Sequence, residues 1–281
     1  VIFSLLTWNV FGAAQGLGAF LRWEGIPDSA RLAHPDVRAA AARADVVCLQ
    51  EVWLREAADY FHAIDLPYKT RDTNEKTLVP LKLGGSGLAV ASRFPITLRK
   101  LTVFDGPLAG ADRFARKGVM HVRLALPGDV ELDVFTTHMQ SGYGDAARKA
   151  RAAQLAQIAG EVARQGSPER PAILCGDLNV CGLGERRSGE YAQIAERFPD
   201  FVDLGAAEDL ATYHPHPEVN ALAHRHEPGA PEQRLDYVLF RPDRGGRLAT
   251  VRLARVLDAP LAPEGLFPSD HFGLEARFEL R

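Results

Sequence analysis

Six places in the sequence set a polar, titratable or metal-capable residue at the end of an otherwise apolar run. Asn9 ends FSLLTWN, Glu51 ends VVCLQE, His138 ends DVFTTH, and Asp177 with Asn179 ends AILCGDLN. Asp236 lies at the start of LDYVLF, and Asp270-His271 leads into HFGLEARFEL. A lone Asp or Asn after a strand is usually a turn former. The recurrence asks for a common cause, namely strand ends that converge on one rim.

Brought together, these residues supply what phosphoester hydrolysis requires. Glu51 offers a hard oxygen ligand of the kind Mg2+ prefers, and such an ion neutralises phosphate charge and the charge growing on a leaving oxygen. His271 can take a proton from an attacking water while a carboxylate orients its ring. His138 can donate to a phosphoryl oxygen as charge builds there. Side chains two apart on a strand share a face, so Asp177 and Asn179 are expected to reach one ligand together.

The elements that must position these groups are mostly strands. IFSLLTWNV, DVVCLQEV, GLAVAS, VMHVRLAL, VELDVFTTH, AILCGDLNV, LDYVLF, TVRLARV and HFGLEARFEL all read as β-structure. In the last, Phe272, Leu274, Ala276, Phe278 and Leu280 alternate with Gly273, Glu275, Arg277 and Glu279, giving one buried and one wetter face. VMHVRLAL alternates likewise, with His121 and Arg123 on its wetter side, and Pro127-Gly128-Asp129 turns it into VELDVF as a hairpin. VVCL and AILC are continuously apolar, as expected of central strands covered on both faces. Helices are expected over Asp145 to Arg164, where Leu155, Ile158, Ala159 and Val162 form a stripe, and around Asp36 to Ala44. Gly12 to Ala33, Gly182 to Gly189 and Pro215 to Gln233 read as long loops and candidate walls of a site.

At 281 residues, 46% hydrophobic and 25% charged, the chain can bury a sizeable core as a single domain spanning residues 1–281. A net charge of −3 with scattered Lys and Arg shows no footprint for duplex nucleic acid. Cys48, Cys175 and Cys181 do not make a disulfide framework, though a Cys175–Cys181 bridge stays open. No apolar run is long enough for a membrane-spanning helix. The chain starts on strand sequence with no export signal, so the expected location is secreted or periplasmic if a signal has been removed, and otherwise cytoplasmic.

The blocks TWNV, CLQEVW, GGSGLAVASRFPI, FTTHMQS, GDLNV, LDYVLF and SDHFGL follow one another from residue 7 to residue 274. In content and order they resemble the endonuclease/exonuclease/phosphatase superfamily of metal-dependent phosphoesterases. FARKGVMHVRL with Lys117-Gly118, THMQS followed by a helix carrying RAAQLAQI, and NALA ahead of RLDYVLF narrow the resemblance to the neutral sphingomyelinases of the bacterial type C.

The resemblance implies a four-layer α/β/β/α sandwich, two mixed β-sheets flanked by helices, of the deoxyribonuclease I-like kind. It implies Glu51 as the principal Mg2+ ligand with Asn9 beside it, Mn2+ or Co2+ being substitutes. Asp177 and Asn179 would position the water and the phosphate, and His138 would stabilise the transition state. His271 would be the general base oriented by Asp236, with Asp270 completing the site and Lys117 facing the phosphate. The implied reaction is sphingomyelin plus water to ceramide and phosphocholine. The expected partner is a phospholipid or other phosphodiester substrate, with peripheral membrane contact, no stable nucleic-acid partner and a monomeric state.

One stretch departs from the pattern: between NALA and LDY the interval reads HRHEPGAPEQR, without the aromatic residues that would wedge into a bilayer. Phe20, Leu21 and Trp23 are the alternative membrane contact, or else pack their own loop down. His214, His216, His224 and His226 read as a solvated loop sooner than a transition-metal site. A nuclease of the same superfamily, or a phosphatase on inositol phosphates or other phosphomonoesters, is the alternative enzyme. A silent binding module is disfavoured because no member of the polar constellation is missing.

Overall fold

A computed structural model describes residues 1–12, 28–72, 85–184, 187, 189–208, 210–262 and 265–281. Two six-stranded sheets form its centre. The first has the order β11 (Leu248–Val256), β12 (Gly273–Leu280), β1 (Ile2–Asn9), β2 (Val46–Gln50), β4 (Ala89–Ser92) and β3 (Tyr68–Arg71). The second has the order β5 (Ile96–Val103), β6 (Gly118–Leu126), β7 (Val130–His138), β8 (Ala172–Asp177), β10 (Asp236–Arg241) and β9 (Val202–Asp203). Both are mixed: β1–β2 and β7–β8 are parallel, while neighbouring pairs such as β1–β12 and β6–β7 are antiparallel.

Period-two alternation decides which side chains fill which layer. Phe3, Leu5, Val46, Cys48, Met120, Val122, Ile173, Cys175 and Phe278 pack between the sheets. Leu6, Trp8, Val47 and Leu49 point outward onto α1 (Asp28–Ala33), α2 (Pro35–Arg43) and α3 (Arg55–Ala63), with Leu32, Val37 and Phe61 in contact. Phe135, Ala172 and Leu174 point outward onto α4 (Asp145–Gln165) and α5 (Gly189–Arg197), meeting Leu155, Ile158, Val162 and Ile194. The result is the expected four-layer α/β/β/α sandwich, and VVCL and AILC are apolar throughout because both their faces are covered.

Several sequence expectations need correction. His121 and Arg123 do face away from the intersheet core, but His121 is fully buried. Its ring stacks on Phe135 with centroids 4.4 Å apart, and its Nε2 lies 2.9 Å from Asp133 Oδ1. Arg123 and Arg170 both donate to the same carboxylate, so the predicted wet face is an ion cluster under the end of α4. The three cysteines are free, which removes the Cys175–Cys181 bridge. α1 falls within the expected loop Gly12 to Ala33, and α6 (Ala221–His226) within Pro215 to Gln233. Phe20, Leu21 and Trp23, the alternative membrane contact, lie outside the described residues. Among the described residues no helix is long and apolar enough to cross a membrane.

Candidate active site

Strand pairing explains why the six predicted positions meet. His138, the last residue of β7, is in register with Asp177, the last of β8, and Asp177 is in register with Asp236, the first of β10. One end of the second sheet therefore presents an imidazole followed by two carboxylates in a single row. Across the gap, Asn9 ends β1 opposite Gln50, which ends β2, and Glu51 follows. Asp270 and His271 precede β12 in the same sheet, so both sheets contribute to one rim. That rim floors a cavity of about 840 Å3, lined among others by Glu51, Lys117, His138, Asp177, Asn179, Asp270 and His271.

Asn9 joins the two sides. Its Nδ2 donates to Glu51 Oε1 and to Asp177 Oδ2, both at 3.1 Å, while its Oδ1 accepts from Phe11 N at 3.0 Å. The carboxamide thus separates the buried Asp177 carboxylate from the partly buried Glu51 carboxylate, which would otherwise repel. Burial, reinforced by the charge of Asp270, pushes the Glu51 carboxyl up to about 7, against the pull of Asn9, Lys117 and His271. Glu51 itself sits in the left-handed region at φ 61, as do Phe11 (φ 51) and Asn179 (φ 52) beside the same cavity. Such conformations cost on the order of 1–3 kcal/mol each and persist where surrounding structure over-determines them.

Asp177 and Asn179 do reach the cavity together, but not by sharing a strand face. β8 stops at Asp177, and the chain turns so that Asn179 N donates to Asp177 Oδ1 at 2.9 Å and Asn179 Nδ2 donates to Met139 O at 3.1 Å. Gly176, at φ +125, makes that turn available, since a Cβ there would stand 2.1 Å from Thr137 O.

His271 and Asp236 form a base-and-orienter pair, with Nδ1 2.8 Å from Asp236 Oδ2. Burial alone would push the His271 ring down, yet Asp236, Asp177 and Asp270 hold it well above the usual imidazole range. Its Nε2 faces Asp177 Oδ2 at 3.9 Å. Asp177, Asp236 and His271 lie close enough to hold a cation among them, but His271 Nδ1 is already engaged with Asp236, which leaves the triplet a proton-handling unit. Hard cations prefer oxygen ligands, and Glu51, tied through Asn9 to Asp177, offers carboxylate oxygen at the cavity.

His138 Nε2 lies 3.0 Å from Lys117 Nζ, 3.5 Å from Asp177 Oδ2 and 4.0 Å from Glu51 Oε1. Burial, together with Lys117 and His271, pushes this ring down to about 3, so it is neutral. Lys117 is fully buried and also donates to Met139 O and pairs with Asp112 at 3.0 Å. Its ammonium consequently faces the site.

Sequence reasoning missed several members of this site. Trp53 lies within CLQEVW, and its ring stacks on His138 at 5.8 Å over Gly87, whose missing side chain makes the room. Asp112 fixes Lys117 and also accepts from Ser141 N and Oγ. His226, expected in a solvated loop, instead places Nδ1 2.8 Å from Asp270 Oδ2. A sequence signal existed for this: Asn220 of NALA caps α6 by accepting from Leu222 N and Ala223 N, and its Nδ2 donates to Ser269 O and Asp270 O.

Comparison with known proteins adds ancestry to this geometry. The model of the Endonuclease/Exonuclease/phosphatase family matches residues 6–271. A Caenorhabditis elegans protein provisionally named neutral sphingomyelinase is 27% identical over 274 residues, covering 84% of this chain. The chain spans about 58% of the length of that relative. Sphingomyelinase C from Streptomyces griseocarneus superposes with a TM-score of 0.76 at 24% identity, over 99% of both chains. Beta toxin from Staphylococcus aureus, solved with bound magnesium ions, gives 0.76 at 20%, over 98% and 99%. D. rerio TDP2, solved with a single-strand DNA product, gives 0.71 at 17%, over 99% of both. The structural likenesses establish the fold.

Proposed function

The chain belongs to the endonuclease/exonuclease/phosphatase family, and from that premise we propose that it is a phosphodiester hydrolase, specifically a Mg2+-dependent sphingomyelin phosphodiesterase. The products would be ceramide and phosphocholine.

The charge of the cavity mouth carries this reading over a nuclease. Arg151 is bound bidentately by Glu190 at 2.9 and 2.8 Å, Arg148 pairs with Asp145, and Lys117 pairs with Asp112. The remaining wall includes Trp53, Tyr143, Tyr213, Glu190 and Glu227. Strand-tracking proteins need a groove of cations left over for phosphates, and among the described residues the lysine and arginines lining this cavity, Lys117, Arg148 and Arg151, are each paired with a carboxylate. The sphingomyelinase name of the 27% identical relative supports the same choice.

Glu51 would hold the ion, with Asn9 fixing its carboxylate and Asp177 nearby. When bound, the ion would supply charge neutralisation of the phosphate and of the leaving oxygen. His271 Nε2 takes a proton from the attacking water, and Asp236 keeps the opposite ring nitrogen protonated and the ring aimed. Asp177 and Asn179 orient water and phosphate. Lys117 and His138 face the position where phosphoryl charge develops, so both act most strongly in the transition state.

A side-by-side assay tests the assignment. Phosphocholine release from sphingomyelin in mixed detergent micelles is compared with nicking of plasmid and abasic duplex, each with Mg2+ and with chelator. Metal-dependent phosphocholine release with little nicking is expected. Efficient nicking with inert sphingomyelin would reverse the assignment in favour of a nuclease, the activity class suggested by the product bound to D. rerio TDP2.

A further inference from the structure

Next to the proton-handling pair, one wall of the cavity is built from Tyr143, Tyr213, Glu227 and Gln233. The hydroxyls of Tyr143 and Tyr213 donate to Glu227 Oε2 at 3.1 and 3.3 Å, and Gln233 Nε2 donates to Tyr143 Oη at 2.9 Å. The Tyr213 ring lies 5.2 Å from the ring of His271, and its backbone bridges both His271 and Gln233. Glu227 follows His226, which is held on Asp270. The carboxylate is thereby fixed one side chain away from the reacting end.

Its charge balance differs from that of its neighbours. Asp112 has Lys117, Glu190 has Arg151 and Asp270 has His226. Glu227 is bound only by neutral phenols, and among the described residues no cation stands within ion-pair distance of it. A negative charge offset by no cation and bordered by aromatic rings is the arrangement that recognises a methylated ammonium, through charge attraction and cation–π contact.

We propose that Glu227, with Tyr143 and Tyr213, is the headgroup subsite, and that it selects phosphodiesters whose non-leaving substituent carries a quaternary ammonium. The proposal rests on the phosphodiesterase reading above and assigns the residues that set its specificity. Choline linked to the scissile phosphate would lay its cation on this wall while the phosphate faces Lys117, His138 and His271.

The test uses two soluble substrates, p-nitrophenyl phosphocholine and methyl p-nitrophenyl phosphate, with the Mg2+-loaded full chain. Glu227→Gln keeps an acceptor for both tyrosine hydroxyls, so the wall retains its hydrogen bonds. The ratio of kcat/KM for the choline ester to that for the methyl ester, which lacks the ammonium, should fall about tenfold in the variant, carried by KM. In parallel, choline binding to the metal-free chain is followed by tryptophan fluorescence, and the variant should bind about tenfold more weakly. An unchanged ratio with both esters hydrolysed would overturn the subsite and leave the phosphodiesterase reading standing. Weakened choline binding with neither ester hydrolysed would uphold the subsite and sink the phosphodiesterase reading. Equal choline binding by both proteins would overturn the subsite.

Discussion

Asp236 Oδ2 accepts from His271 Nδ1 at 2.8 Å, and the two residues come from different sheets: Asp236 opens β10, while His271 leads into β12. The bond stitches the rim of the sandwich and fixes the ring at once. Asp236→Asn should therefore lower kcat by up to about 10⁴-fold, the loss seen when a catalytic histidine loses its orienting carboxylate. Because Asp236 helps hold the His271 ring above its ordinary range, the acid limb of the pH–rate profile should also move to lower pH. A variant with full kcat would remove His271–Asp236 from the mechanism.

Glu51 is tied to Asn9 and, through it, to Asp177. Chelation should abolish turnover of the native chain and added Mg2+ should restore it. Glu51→Gln should raise the Mg2+ concentration for half-maximal activity sharply, at least about tenfold, since a hard cation loses a charged oxygen. A Mg2+ titration unaffected by the substitution would displace Glu51 as the ligand.

His138 Nε2 and Lys117 Nζ stand 3.0 Å apart beside the Asp177 carboxylate. His138→Ala should depress kcat by about 10²-fold and alter KM little, the signature of an interaction made in the transition state. Steady-state kinetics on micellar substrate would read the split, and a change confined to KM would assign the ring to ground-state binding.

Asn220 is fully buried, caps α6 and holds the carbonyls of Ser269 and Asp270. Asn220→Ala should cost about 2 kcal/mol in thermal unfolding, one cap plus bonds left unmade. Turnover, measured where the variant is fully folded, should also fall because Asp270 and His271 lose their anchor.

Asp133 is buried, and burial alone would raise its carboxyl, but His121, Arg170 and Arg123 hold it below the usual carboxylate range. A depressed folded-state pKa stabilises the fold above the unfolded value of about 4 and is lost as pH falls through the folded value. Unfolding free energy should thus drop below about pH 4 in the native chain and less so in Asp133→Asn. At neutral pH that variant should be about 3 kcal/mol less stable, because Arg123 and Arg170 lose their counter-ion. Equal acid sensitivity of the two proteins would discount the cluster.

Much of the architecture was legible. VVCL and AILC announced strands covered on both faces, HFGLEARFEL announced one buried face, and the stripe Leu155, Ile158, Val162 announced α4. The helices α3 and α5 were not foreseen, although Ala57, Tyr60 and Phe61 carry helical spacing that α3 buries. His121 was placed on a wetter face because alternation reports only direction. Whether an outward face meets water or an Arg–Asp cluster depends on what the rest of the chain lays over it.

The sequence by itself determined the chemistry available: the residue types at strand ends, their order along the chain and their kinship to a phosphoesterase family are local properties of the string. Only the tertiary structure decided the geometry. Strand register set His138, Asp177 and Asp236 in one row, a left-handed turn after β8 aimed Asn179, and α6 brought His226 and Glu227 to the cavity. Register and turn handedness follow from the packing of residues distant in the chain, and that packing exists only once both sheets have closed on each other.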